Sequence, residues 1–372
     1  MELFLWSSIV FCGTLVGLGA LLQVAARFLV DPGPFTIDIN GGERVFQTEG
    51  GSTLLAALTD NKIFIPSACG GQATCGHCKA RLLDSQESDV LPTEKAFMTR
   101  QELRNGTRLA CQVKVKRDLA LRIPGHLLAV KQYRAEVVST VDLTYDIKEI
   151  RLRLLEPDRM DFSYGHYIQV NVPDPDEGYI SRAYSISAPI REKNELELNV
   201  RLHPAHGKIP AGKGSSYLHS LTAGEEITVT GPYGEFELDQ DPNVHLICVG
   251  GGAGMAPMKN LILSVLDTIP GKPVSLFFGC RGTADVFYLD MYEELARKHE
   301  HFKVVYALSD MQEGEQWNGE TGFIHLSVDK HLPDDLRPHQ AFLCGPPLMI
   351  EAVTEVLLDK NMKPERIFYD KY

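Results

Sequence analysis

The chain has 372 residues, with 37 Lys+Arg against 49 Asp+Glu and 44% hydrophobic residues. That apolar content excludes a disordered tail and leaves room for two or three cores of ~150 residues each. A net charge of −12 argues against nucleic acid as a partner, because phosphate binding needs a basic face.

From Leu3 to Ala26 there are 24 residues without Asp, Glu, Lys or Arg. At 1.5 Å per residue such a helix spans ~36 Å, enough for a ~30 Å hydrocarbon layer. The segment therefore predicts one transmembrane helix within residues 1–30. A cleaved signal peptide would open on a basic stretch with an apolar run of only ~7–15 residues, whereas this chain opens with Glu2 and runs longer. Arg27 is the only basic flank, and the positive-inside tendency puts everything after it in the cytoplasm, on the inner (cytoplasmic) membrane. Thiols stay reduced there and available to metal.

Asp31-Pro32-Gly33-Pro34 breaks the helix. Residues 32–126 then read as a small β-rich domain: strand Phe35–Ile39, a Gly41-Gly42 turn, strand Arg44–Phe46, and a short helix Thr53–Leu58 capped by Ser52 or Thr53. A cysteine loop and a strand over Ala110–Val115 complete it. Residues 130–240 change to frequent strands (Ile150–Leu155, Tyr167–Val172, Leu196–Leu202, Ile227–Thr230) between Pro/Gly/Asp turns, which predicts an antiparallel barrel or sandwich. Asp239 to Asn243 reads as a linker. In residues 243–372 strands His245–Val249, Val274–Phe278, Lys303–Leu308 and Ala341–Cys344 are interspersed with helices Pro257–Leu266, Leu289–Lys298 and Met349–Leu358, the pattern of a parallel α/β sheet.

Eight cysteines are too sparse for a disulfide scaffold, yet Cys69, Cys75 and Cys78 fall within ten positions, and Cys111 follows after 32 intervening residues. Gly70, Gly71 and Gly76 let backbone N–H groups turn toward sulfur. A zinc site would show two Cys-x-x-Cys units; here one such pair is joined by two single cysteines. Spacings of five, then two, then a distant fourth lie one residue from the plant-type [2Fe–2S] pattern. His77, between two of the cysteines, reads as a loop residue.

Arg182-Ala183-Tyr184-Ser185 reads as opening a strand, with a cation for a pyrophosphate, an aromatic to cover a ring system and a hydroxyl for its polar edge. In Gly212-Lys213-Gly214-Ser215-Ser216, glycines and hydroxyls lead into a helix N-terminus suited to phosphate. Gly250-Gly251-Gly252-Ala253-Gly254-Met255 follows a strand and opens a helix. It is not a Walker A loop, and Pro257 takes the place of the third glycine of a dinucleotide fingerprint. Its partner is Cys344-Gly345-Pro346-Pro347, at the end of a later parallel strand, where α/β sheets hold ligands.

The order of these motifs resembles the ferredoxin-NADP reductase superfamily fused to an N-terminal [2Fe–2S] domain. Within it, the chain is similar to the family of F subunits of Na⁺-translocating NADH:quinone reductases. Ser-Ala-Cys-Gly-Gly (67–71), Leu-Ala-Cys-Gln-Val (109–113), Gly-Pro-Tyr-Gly-Glu-Phe (231–236) and Thr-Gly-Phe-Ile-His (321–325) extend the likeness along nearly the whole chain.

The resemblance implies a multidomain fold of transmembrane helix, β-grasp [2Fe–2S] ferredoxin domain, antiparallel β-barrel FAD domain and α/β NAD domain. It implies that Cys69, Cys75, Cys78 and Cys111 hold the cluster. Arg182, Ser215 and Ser216 would lie at the FAD pyrophosphate, with Tyr184 and Ser185 at the isoalloxazine. The glycine loop and Cys344 would receive NADH, and Tyr372, matching the family's C-terminal aromatic, would cover the flavin. Ser185, Cys344 and Tyr372 are thus the expected catalytic residues, and integral-membrane redox subunits the expected partners. Only Pro173 to Tyr179 separate Val172 from Ile180, where the family's members carry a longer insertion.

Residues 32–130 hold 12 Lys+Arg and 10 Asp+Glu, so the cluster domain is not the acidic carrier that a diffusing ferredoxin tends to be, and a fixed membrane partner suits it better. Two other readings use the same residues: the reductase component of a multicomponent oxygenase, and a non-catalytic zinc or thiol regulatory protein.

Overall fold

The computed structural model describes residues 6–7, 11–21, 33–85, 89–175, 178–311 and 314–371. Residues 11–21 form α1 and are exposed along their whole length. Among the described residues no helix is long and apolar enough to cross a membrane. The rest of the apolar run expected to span a bilayer lies outside the described residues, as does Tyr372.

Two compact units follow, Met1–Pro66 with Gly71–Ala129, and Ser67–Gly70 with Val130–Tyr372. In the first, a mixed five-stranded sheet runs β2 (Arg44–Thr48), β1 (Phe35–Ile39), β5 (Leu119–Arg122), β3 (Lys79–Leu82), β4 (Thr107–Leu109). β1 pairs antiparallel with β2 and parallel with β5. Alternation in Phe35-Thr36-Ile37-Asp38-Ile39 buries every second side chain, and α2 (Leu54–Asp60) buries Leu54, Ala57 and Leu58. Thr53 is the N-cap of α2, its hydroxyl accepting from the Ala56 N–H at 3.2 Å. Two short helices, α3 (Pro92–Lys95) and α4 (Arg100–Arg104), connect β3 to β4.

The strand expected over Ala110–Val115 is absent. Ala110 donates its N–H to the Cys78 carbonyl, Gln112 donates to Leu109, and the carbonyls of Val113 and Val115 accept from Leu54 and Gly51. The segment spends its backbone bonds on the cysteine loop and the start of α2, so no ladder forms and Cys111 sits in a turn.

In the second unit six antiparallel strands run β10 (Glu195–Arg201), β7 (Ile147–Glu156), β6 (Lys131–Asp142), β11 (Glu226–Tyr233), β8 (Tyr167–Asp174), β9 (Gly178–Ser185). A bridge between Ile186 and Leu198 brings the end of β9 back to β10 and closes the barrel. Arg182–Ser185 thus end a strand instead of opening one. Helix α5 (Lys213–Ser220) follows β10.

A wholly parallel sheet completes the unit: β15 (Glu320–Thr321), β14 (Phe302–Leu308), β13 (Val274–Cys280), β12 (Leu246–Gly251), β16 (Gln340–Gly345), β17 (Ile367–Lys371). It is flanked by α6 (Met255–Thr268), α7 (Leu289–Lys298), α8 (Ile324–His331) and α9 (Pro347–Asp359). β12 to β14 and β16 are near-continuous apolar runs because helices cover both faces.

Among the described residues of the first unit, Glu94 and Arg108 are a buried ion pair. The Glu94 carboxylate accepts from the Arg108 guanidinium at 2.7 Å and from the Leu91 and Leu109 N–H groups at 2.9 and 2.8 Å. Glu94→Ala leaves Arg108 buried and uncompensated, and should cost ~3–5 kcal/mol, read as lost hydrogen-exchange protection at the β1 and β5 amides. Unchanged protection would show that the pair carries no net stability.

Candidate functional site

The cysteine loop is a run of turns between α2 and β3. Gly70, Gly71 and Gly76 hold φ of +67°, +91° and +73°, and a Cβ on Gly76 would lie 2.7 Å from Phe97. Only glycine fits there. Cys78 and Cys111 share a hydrogen bond, with Cys75 near enough to act on the same thiol. The Cys111 thiol, then burial, pushes the Cys78 thiol above its ordinary value; a cation between the sulfurs reverses this by favouring thiolates. Cys69 lies in the Ser67–Gly70 segment that groups with the second unit. Among the described residues no three His, Cys, Asp or Glu side chains converge on one point fit for a metal ion. Of the four cysteines, Cys78 and Cys111 stand within hydrogen-bond reach of each other's side chain.

The barrel site forms where β9 meets α5. A Cβ on Gly214 would lie 2.6 Å from the Tyr184 hydroxyl oxygen and 2.9 Å from Arg182 Cγ, so the bare backbone of α5's first turn rests against both side chains. Ala183 and Ser185 alternate with them on β9. Ser215 is buried, with its hydroxyl on the Gly212 carbonyl at 3.1 Å, and the Ser216 N–H continues the helix from Gly212 at 2.9 Å. Burial pushes the Tyr184 phenol up, so it stays neutral. Cation, helix N-terminus and aromatic are thus gathered in one place, as a pyrophosphate-bearing flavin requires.

The second crevice follows from topology. From β12 the chain builds outward through β13 and β14 on one side and returns through β16 and β17 on the other. Loops leaving the carboxyl ends of β12 and β16 therefore diverge, and ligands bind between them. Gly250–Gly254 leave β12; Cys344 and Gly345 end β16. A Cβ on Gly254 would lie 2.2 Å from the Cys344 carbonyl oxygen, and one on Gly250 2.7 Å from Met255 Sδ. Gly251 and Ala253 complete the loop, and Pro346 caps α9. Cys344 is 2% exposed, and burial drives its thiol well above its ordinary value, so it is a neutral wall and not a nucleophile.

A cavity of about 430 Å³ opens here, within the range of small-molecule sites. Its lining includes Arg201, to which no sequence motif pointed. Arg201, from β10 of the barrel, lies over the loop: a Cβ on Gly252 would sit 2.6 Å from its guanidinium, which pairs with Asp146 at 3.1 Å. Phe323 and His325 stack with ring centroids 6.0 Å apart. At the rim, Arg281 and Tyr145 both bond Asp285 at 3.1 Å, and Arg281 also bonds the Tyr145 hydroxyl. Burial raises the Asp285 carboxyl, but the Gly282 N–H and Arg281 outweigh it and hold it below its ordinary value. Cys248 and Cys280 are buried strand residues of β12 and β13.

Residues 37–116 match the 2Fe-2S iron-sulfur cluster binding domain, 134–238 the oxidoreductase FAD-binding domain and 248–355 the oxidoreductase NAD-binding domain. Over its full length the chain is 34% identical to the F subunit of the Na(+)-translocating NADH-quinone reductase of Neisseria meningitidis serogroup C, covering 100% of both. The corresponding F subunit of Marinomonas sp. is 35% identical, covering 98% of this chain and 97% of its own. The chain belongs to the family of F subunits of the Na(+)-translocating NADH-quinone reductases. It is an oxidoreductase whose cofactors are a [2Fe–2S] cluster, FAD and NADH.

The match to the Neisseria subunit runs over 407 positions against 372 residues here, so 35 of its positions have no counterpart in this chain. Among solved structures, an Amycolatopsis cytochrome P450 reductase is similar with TM-score 0.69 and 28% identity, covering 91% of this chain and 98% of its own. The ferredoxin reductase in carbazole 1,9a-dioxygenase follows at 0.65 and 25%, with the same coverage. Three cofactor domains in order set aside the non-catalytic regulatory reading.

Two glycines separate the two crevices experimentally. Gly254→Ala should raise the Kd for NADH tenfold or more, by titration of flavin absorbance, with FAD content unchanged. Gly214→Ala should yield protein depleted in FAD while the iron content holds. The converse pattern would reverse the placement of the two cofactors.

Proposed function

We propose that this chain is the NADH-oxidising component of a membrane complex that reduces quinone, with residues 32–126, 130–240 and 243–372 carrying the cluster, FAD and NADH. The observation that carries this reading is the convergence of Gly250–Gly254 and Cys344–Gly345 at the switch point of the sheet, with Arg201 reaching in from the flavin barrel. When bound, FAD takes hydride from NADH and releases electrons singly, which suits a cluster that accepts one at a time.

The residues divide this work. Arg182, with the α5 N–H groups and Ser215 and Ser216, neutralises the FAD pyrophosphate, while Tyr184 covers the ring and Ser185 hydrogen-bonds its reacting edge. The glycine loop from Gly250 to Met255 and the start of α6 receive the NADH pyrophosphate against Arg201. Cys344, Gly345 and Pro346 wall the nicotinamide, and Tyr372 shields the flavin. Cys69, Cys75, Cys78 and Cys111 ligate the cluster. Of these, Cys78 and Cys111 are paired by a hydrogen bond.

The apolar run from Leu3 to Ala26 serves as a single-pass anchor to the inner membrane, with the catalytic domains cytoplasmic; exposed Phe11, Val16 and Leu21 on α1 suit a lipid-facing surface. Integral-membrane redox subunits are the partners supported by the relatives' place as one subunit of a larger reductase. A second reading, the reductase component of a multicomponent oxygenase, draws support from the likeness to the carbazole dioxygenase reductase.

Cys111→Ser should abolish cluster absorbance and NADH-driven reduction of one-electron acceptors, while flavin reduction by NADH persists. Retention of iron and of one-electron transfer would end the cluster assignment. Copurification from native membranes decides between the two acceptor readings: integral-membrane subunits support the quinone reductase, and a soluble hydroxylase as sole partner supports the oxygenase.

A further inference from the structure

Strand β10 sends Leu196, Leu198 and Val200 into the barrel core, so its alternation sends Glu197, Asn199 and Arg201 to the opposite face. That face is not solvated: Glu197 and Asn199 are each 5% exposed. Each of the three meets the NAD-binding lobe. Glu197 accepts from Lys259 Nζ at 2.5 Å, Asn199 Oδ1 lies 3.0 Å from the Tyr288 hydroxyl oxygen, and Arg201 lies over Gly252.

Glu149 of β7 joins the cluster, accepting from Lys259 at 3.2 Å and from Tyr288 at 2.5 Å, while the Lys259 ammonium stands 4.2 Å from the Tyr288 ring centroid. Tyr288 holds φ of +59°, a left-handed conformation that a non-glycine side chain keeps only where its surroundings enforce it. Burial pushes the Glu197 carboxyl up, and Lys259 beside it outweighs that and holds it below its ordinary value.

Lys259 sits on α6 one turn beyond Met255, where the glycine loop enters the helix. Wherever Lys259 is held, the loop is held too. We infer that Lys259, through Glu197 and Glu149, is a positioning residue for hydride transfer: it registers the glycine loop against the barrel and so sets the separation of nicotinamide and flavin ring. An apolar pair would keep the lobes together equally well; a directional ion pair under a strained tyrosine admits one register. The inference rests on the reading that this crevice takes NADH.

Stopped-flow reduction of the flavin by NADH, in the full chain, tests it. Lys259→Met should slow reduction at saturating NADH about tenfold to a hundredfold. It should also weaken the long-wavelength charge-transfer absorbance of NADH against oxidised flavin, with FAD content and dithionite reduction unchanged. Lys259→Arg should restore much of both signals. Because methionine leaves two carboxylates with less compensation, Lys259→Met with Glu197→Gln is made alongside and should show the same loss in a chain relieved of one charge. Wild-type rates and an undiminished charge-transfer band in both variants overturn the inference. A wild-type chain whose flavin NADH does not reduce overturns the reading of the crevice and this inference with it, so the two failures are seen in different proteins.

Discussion

The approach of Gly254 to the Cys344 carbonyl, where a Cβ would meet oxygen at 2.2 Å, is the constraint on which the NAD-binding lobe is built. It holds the loop after β12 against the end of β16, so that α6 starts directly from that loop. It also explains the sequence around it. A helix carrying any side chain at 254 would have to stand off the sheet, and the crevice would open to water instead of closing on a dinucleotide. Cys344 serves the same geometry: small and uncharged, it packs where a larger side chain would displace the loop.

The barrel answers that constraint from the other side. Its contribution is a strand, β10, whose two faces are both buried and differ in chemistry: leucine and valine toward the barrel, carboxylate, amide and guanidinium toward the NAD-binding lobe. α6 replies in kind. Lys259 reaches Glu197, Asn260 donates to the Ala188 carbonyl at 2.6 Å and accepts from the Gly165 N–H at 3.0 Å, and the Ser264 hydroxyl accepts from the Ile190 N–H at 3.0 Å. Polar groups buried with partners allow few alternative arrangements, because each unpaired group costs its full desolvation. The dinucleotide therefore meets a preformed geometry, which is what transfer between two rings demands.

The first unit makes its loop by a different economy of backbone bonds. Its sheet is short, and the residues around Cys111 give their N–H and carbonyl groups to the cysteine loop and the head of α2. Together with the glycines at 71 and 76, this leaves the loop before β3 without regular structure. The buried Glu94–Arg108 pair ties α3 to β4, the strand that runs on toward Cys111.

Sequence alone determined the modules, because each announces itself locally. Cysteine spacing, the glycine loop after an apolar strand and the alternation of strand with helix are read within a few residues of one another, and α7 begins and ends where its periodicity says. The strand over Ala110–Val115 failed for the same reason: alternation is local, whereas the choice to bond Leu54 and Gly51 is made by residues about sixty positions away. Tertiary structure alone decided that Arg201 lines the crevice beside Gly252 and that Lys259 meets Glu197 across 62 positions. A lone lysine in a helix or glutamate in a strand reads as surface. Only the packing of two lobes takes water from both and makes their charges answer each other.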